Sequence, residues 1–286
     1  IDSATKDADV KTAQTNGEQA INKVNVPDTS ATKEAAKNAI DQAAQAKNDA
    51  IGKSNLTDEE KAALKQTVSD EVNKAKAAID SATKDADVKT AQTNGEKAIN
   101  AVEIPKSSKT KNDANKEIDS TADAAKNAID KTSGLTADQK QTAKGQIDQA
   151  VTDAQEKIKN TSDNQGVADA KDAGKLAIDK DAANAAIDDA LNKKKSEITG
   201  ATNLDQPTKD KLIQEATDAA TKAKDAIDKA TTNNDVATEQ TKGTNAIDAV
   251  KVPSLTDSQT AAKKAIDDAL NNKKSEINGA TNLDQP

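Results

Sequence analysis

The chain has 286 residues, a formal net charge of −8 and 41 basic side chains, all of them lysine, and it lacks Cys, Met, His, Trp, Tyr, Phe and Arg. That composition excludes Ser-His-Asp catalysis and metal sites built on Cys or His. It also denies nucleic acid the basic stripe, arginines and stacking aromatics it needs, and no apolar run approaches the roughly 20 residues of a membrane span. Hydrophobic residues reach 34%, below the roughly 45–50% of an average globular chain, so several small bundles, or disorder, are expected rather than one core.

The chain opens with IDSATKDADVKTAQTNGE at Ile1–Glu18, which recurs at Ile79–Glu96. Gly17, Gly95, Gly174 and Gly243 mark the phase, at spacings of 78, 79 and 69 residues. A second match, AIDDALNKKKSEITGATNLDQP ending at Pro207 against AIDDALNNKKSEINGATNLDQP ending at Pro286, confirms a tandem array. Residues 1–26 are therefore a partial repeat, the end of a second helix and a third helix, closed by Val26-Pro27.

The first whole repeat, 27–104, resolves into three helices by its start and stop signals. Its first helix covers about residues 32–54, with Ile40, Ala43, Ala44, Ala50 and Ile51 on one face. Its second covers about residues 57–83, opened by Thr57 and Glu60 as a capping box, with Leu64, Val68, Val72, Ala75 and Ile79 as an apolar stripe. Its third covers about residues 85–102, with Asp85 or Asp87 as cap and Val88, Ala91, Gly95, Ala98, Ile99 and Val102 sharing a face. Asn94-Gly95 also reads as a turn. The residue before this glycine is Asn, Asn, Ala and Lys in the four copies, which favours a glycine inside a helix where a neighbour comes close. Ile104-Pro105 ends the unit, because proline ends a helix at the residue before it.

The second repeat, 105–178, carries the same box at Thr136 and Gln139. After Gly174 the proline is missing, together with about ten residues present at the other junctions, and Ile178, Ala182, Ala186 and Leu191 keep an approximate helical register. A third helix running unbroken into the next first helix is expected there; the alternative is a short polar loop at Asp179–Asp181. The third repeat, 179–252, has Asp205 as cap with Pro207 in the first turn and ends at Val252-Pro253. Residues 253–286 are the first helix of a further copy.

The fold class is thus all-α, tandem three-helix bundles strung end to end into an elongated rod. An odd number of helices with short loops brings the chain in at one end and out at the other. At 1.5 Å per residue, three repeats and two partial ends would span roughly 120–170 Å.

Candidate chemistry is sparse. The pairs Asp188-Asp189 and Asp267-Asp268 suggest acid/base work but fit a solvated helix face. The segment TSDNQG, Thr161–Gly166, has some likeness to a calcium loop but lacks the alternating acidic ligands and closing glutamate, and fits the loop before a third helix. The run Lys193–Lys195 and its counterpart Lys273-Lys274 form a small basic patch, read as a solvated face balanced by Asp188 and Glu197. No catalytic, cofactor-binding or metal-ligating residue is assigned, and an enzyme is not expected. Without Trp, Tyr or Arg, the residues that dominate interface hot spots, a spacer role or weak repeated contact is favoured over tight, small-footprint binding.

The stretch NLTDEEKAALKQTVSDEVNKAKAAIDSATKDADVKTAQTNGEKAINAV carries an LT-x-x-E/Q helix start, A-x-x-AI-D/N helices, a D-x-V opening of the third helix and its glycine. In these marks it resembles the tandem helical domain-of-unknown-function repeats (the fifteen-forty-two type) of Gram-positive cell-wall-anchored surface adhesins and biofilm-associated proteins. The resemblance implies an extracellular, wall-attached stalk that projects a distal adhesive domain. The alternative is that the repeats themselves are weak multivalent modules for a host protein, glycan or neighbouring cell. Neighbouring repeats of a monomeric chain are the expected contacts, with no nucleic acid and no membrane insertion.

Overall fold

The computed structural model describes residues 1–24 and 30–280. The Val26-Pro27 connector and Pro286 lie outside the described residues. Among the described residues there are ten helices and no strand: α1 Asp7–Asn22, α2 Ala31–Gly52, α3 Asp58–Ser81, α4 Asp85–Ala101, α5 Lys109–Asp130, α6 Ala137–Asn160, α7 Asn164–Gly200, α8 Gln206–Lys229, α9 Asn233–Asp248 and α10 Leu255–Gly279. The chain is all-α and built of tandem three-helix bundles.

Two compact units divide it, Ile1–Ser108 and Lys109–Pro286. In the first, α2, α3 and α4 enclose a core that includes Ile40, Ile51, Val68, Ile79, Val88 and Ile99, while α1 buries none of its residues. In the second, α7 packs against α5 and α6 along one part and against α8 and α9 along another, so two bundles share one helix. Their cores are separate: Ile118, Ile129, Ile147, Ile158, Val167 and Ile178 in one, Ile187, Leu191, Ile227, Val236 and Ile247 in the other. Helix α10 buries none of its residues.

Capping chemistry sets the helix starts. Thr57 accepts from the Glu60 amide and Glu60 accepts from the Thr57 amide, and Thr136 and Gln139 repeat the box. Asp205 accepts from the Thr208 amide at 3.0 Å, with Pro207 in the first turn. Ser254 and Asp257 form a further box at α10. Helix α4 departs from expectation: its N-cap is Lys84, which makes no side-chain cap bond. The cap position needs extended backbone, which Lys84 adopts (φ −130°, ψ 149°). Asp85 and Asp87 instead fall inside the first turn, where their charges meet the positive end of the helix. At the same place α7 and α9 carry Asp163 and Thr232, which do cap.

Two more expectations are corrected. Ala50 is exposed, and the buried stripe of α2 is Ala36, Ile40, Ala44 and Ile51. The helices before the prolines also stop early: α4 at Ala101 and α9 at Asp248, four and five residues before Pro105 and Pro253. The connector accordingly begins several residues before the proline. At the junction without proline, α7 runs through Asp179–Asp181 as one helix of 37 residues, about 55 Å at 1.5 Å per residue.

Candidate functional site

The phase-marking glycines lie inside helices, and none has a positive φ. Their role is therefore the missing Cβ. A Cβ on Gly95 would lie 2.7 Å from Ile40 Cδ1 and closer still to Ala75 Cβ. Gly174 meets Ile118 and Ala154 in the same way, and Gly243 meets Ile187 and Ala223. Each bundle thus has one point where all three helices touch: an isoleucine from the first, an alanine from the second and a glycine from the third. Gly17, in α1, has nothing within 4 Å.

Recurrent lysines close helix ends across the bundle. Lys33 on α2 donates to the Asp80 carbonyl at the end of α3 (2.7 Å), Lys111 on α5 to the Lys159 carbonyl at the end of α6 (3.0 Å), and Lys180 on α7 to the Asp228 carbonyl at the end of α8 (2.7 Å). A second set closes the third helix. Lys47 donates to the carbonyls of Asn100 and Val102 (2.8 and 2.9 Å), and Lys194 to that of Asp248 (3.2 Å). The ammonium meets the negative end of the helix and satisfies carbonyls that have no partner within it. The equivalent of Lys47 and Lys194 in the middle bundle is Ala125, which is buried in the core. There the third helix does not end, since it continues as α7, and no terminus needs closing.

The ionic groups singled out from the sequence are mostly engaged in this scaffold. Asp188 pairs with Lys224 on α8 (2.6 Å). Asp189 is not on a solvated face: it is 8% exposed, accepts from the Gly134 amide at 2.6 Å and pairs with Lys193 at 2.8 Å. Lys194 is also buried, pairing with Glu197 at 2.8 Å. Asp188 is thus engaged by α8, while within the lysine run Lys193 pairs with Asp189 and Lys194 with Glu197. Asp268 pairs with Lys264 and Lys273 with Glu276 on the exposed α10. In Thr161–Gly166, Asp163 accepts from the Gly166 amide at 2.8 Å and so serves as the α7 cap. Lys33, Lys47, Lys111 and Lys180 were missed by sequence reasoning; their recurrence at the repeat spacing was the available signal.

Around the shared stretch of α7, burial pushes the Asp181 carboxyl above its ordinary range, and the Asp228 carboxylate pushes it the same way. Burial also raises Asp179, against the hydrogen bond from Asn233 and the charge of Lys175. Elsewhere, Glu117 is held below its usual range, chiefly by the hydrogen bond from Lys171, then by its charge and that of Lys175. Among the described residues no group of three or more acidic side chains is placed to hold a metal ion, and no helix is long and apolar enough to cross a membrane.

Two grooves on the surface recur between the second and third helices of a bundle. One, of about 370 Å³, is floored by Ala150, Ala154, Ala173 and Gly174; its counterpart, of about 460 Å³, by Ala219, Ala223, Gly243 and Ala246. Asp153 and Lys157 flank the first, and Asp218, Lys222, Glu239 and Lys242 the second. Both lie at the close approach that the glycine permits, so they follow from the packing of the bundle itself.

Comparison with known proteins agrees with this arrangement. The chain is 36% identical over 117 residues to the extracellular matrix-binding protein ebh of Staphylococcus aureus strain MW2, and equally so to that of strain MRSA252. The match covers 41% of this chain and about 1% of the length of those relatives. No solved structure matches. The family described as Domain of Unknown Function (DUF1542) matches residues 32–107, 110–181 and 179–255. The last two matches overlap at 179–181, inside the helix that two bundles share. Three matches along most of its length make this chain a member of the DUF1542 family.

Proposed function

We propose that this chain is a structural spacer: a segment of a bacterial cell-surface adhesin that holds a distal adhesive domain away from the cell wall. The observation that carries the reading is the use of the recurrent polar side chains. Lys33, Lys47, Lys111, Lys180 and Lys194 close helix ends within their own bundles, and Lys37–Asp80, Lys76–Asp41 and Lys224–Asp188 tie neighbouring helices together. What the array repeats is a means of holding helices to one another. The reading is non-enzymatic and monomeric, with an extracellular, wall-attached location. Its repeat boundaries are 27–104, 105–178 and 179–252, with partial copies at 1–26 and 253–286.

Small-angle scattering on the chain tests it. A compact globule of this length would have a radius of gyration of about 19 Å. The spacer reading expects about 35–50 Å from a monomer, the value for a rod of roughly 120–170 Å, and a value near the compact figure overturns it.

A second reading, that the repeats are weak multivalent binding modules, draws on the recurring grooves and on the relatives, whose name records binding to extracellular matrix. It expects retention of the chain on an immobilised matrix preparation, weakened when Ala173 and Ala246, exposed residues that line the two grooves, are both changed to Glu in a variant that keeps the native melting behaviour. Equal retention of the variant counts against the grooves.

A further inference from the structure

We infer that α5–α9 is a single cooperative folding and force-bearing unit, whose two bundles do not unfold one at a time, whereas α2–α4 unfolds by itself. The inference rests on the geometry of α7 and not on the spacer reading.

The two cores of this unit interleave along α7. Ile178, Ala182 and Ala185 belong to the core with α5 and α6, while Leu176, Ala183 and Ile187 belong to the core with α8 and α9. Within this stretch the helix has no face to give up: every residue from Gly174 to Asn192 is buried or half-buried. A helix serving one core would show an exposed stripe.

The connections of the two bundles also cross. The α5–α6 loop reaches forward: the Gly134 amide donates to Asp189 at 2.6 Å, and Asn192 donates to the Gly134 carbonyl at 3.1 Å and to Gln139 at 2.9 Å. Both α7 residues lie beyond Ile187, on the part of the helix that carries the second core. The α8–α9 end reaches back: Lys180 donates to the Asp228 carbonyl at 2.7 Å, Asn184 to the Asp228 carboxylate at 3.2 Å and Asn233 to Asp179. Each bundle thus rests on a segment of α7 held in place by the other. Melting either one would fray α7 across this overlap and free unpartnered amides and carbonyls at the new end. It would also strip the crossing contacts from the bundle that remained. In a repeat array such interface terms decide whether neighbours unfold together. Ala125 fits the same design, since it stands where Lys47 and Lys194 close a helix that ends.

Pulling the whole chain by its termini in optical tweezers tests this. At about 3.6 Å per residue, the roughly 70 residues of α2–α4 would release about 250 Å of contour, and the roughly 140 of α5–α9 about 500 Å in one step. Three releases of about 250 Å in the native chain overturn the inference. Ala182→Pro interrupts α7 within the overlap and is expected to split the long step into two. Should that variant lose the second unit altogether, Asp189→Ala combined with Asn192→Ala leaves α7 intact, removes the forward crossing, and is expected to expose an intermediate inside the long step. A long step unaltered in a folded variant of both kinds also overturns the assignment. A compact scattering result with a single long step would reject the spacer reading and leave this one standing.

Discussion

At the scale of single residues, the most specific feature is a side chain that is absent. Glycine inside a helix costs about 1 kcal/mol against alanine, yet Gly95, Gly174 and Gly243 sit at mid-helix because an alanine Cβ from the second helix occupies the space. That neighbour is fixed to its own backbone and cannot rotate aside. Gly243→Ala is therefore expected to destabilise its bundle by about 1–3 kcal/mol, as overpacking does, despite the gain in helix propensity. Gly17→Ala in α1, where nothing lies within 4 Å, is expected to leave stability unchanged or raise helicity. Thermal melts followed by circular dichroism distinguish the two; an equal response at both positions would refute the close-approach account.

At the scale of elements, the helices start and stop by local chemistry and are held to one another by lysines acting at a distance. The stretch of α7 shared by two cores carries two carboxyls, Asp179 and Asp181, that burial raises above their ordinary range. The fold disfavours the charged form of Asp181, by burial first and then by Asp228, so its folded-state pKa lies above its unfolded value. The sign follows from linkage. The unfavourable contribution is present above the folded pKa and disappears as the pH falls below the unfolded value of about 3.9. Asp181→Asn should therefore raise the melting temperature of the second unit at pH 7, with the gain over wild type shrinking as the pH is lowered toward 4. A gain that grows on acidification would contradict this. Glu117 works the other way: its pairing with Lys171 and Lys175 stabilises above its ordinary pKa and is lost as the pH falls through the depressed value.

At the scale of the whole molecule, the same repeat is used in two ways. The α2–α4 bundle has a core drawn entirely from its own three helices. Residues 30–108 taken alone are expected to melt cooperatively and to be strongly helical. A piece ending at Asp181 would instead lose Ala182, Ala185, Asp189 and Asn192, which complete the core and hold the Gly134 loop. Residues 109–181 should consequently melt broadly, and a sharp transition in that piece would show that the middle bundle needs nothing from its neighbour. Much of this plan is legible in the letters. The capping boxes at Thr57 and Thr136, the stripe from Leu64 to Ile79, the glycine phase and the missing proline after Gly174 all depend on neighbours three or four places away along one helix, or on the repeat spacing. Those are properties of the chain itself. The burial of Asp189 and Lys194, the exposure of Ala50 and the lysines that close the ends of other helices were decided only by the tertiary structure. Each depends on which helix end or loop lies opposite, and a polar side chain looks the same in sequence whether water or a carbonyl faces it.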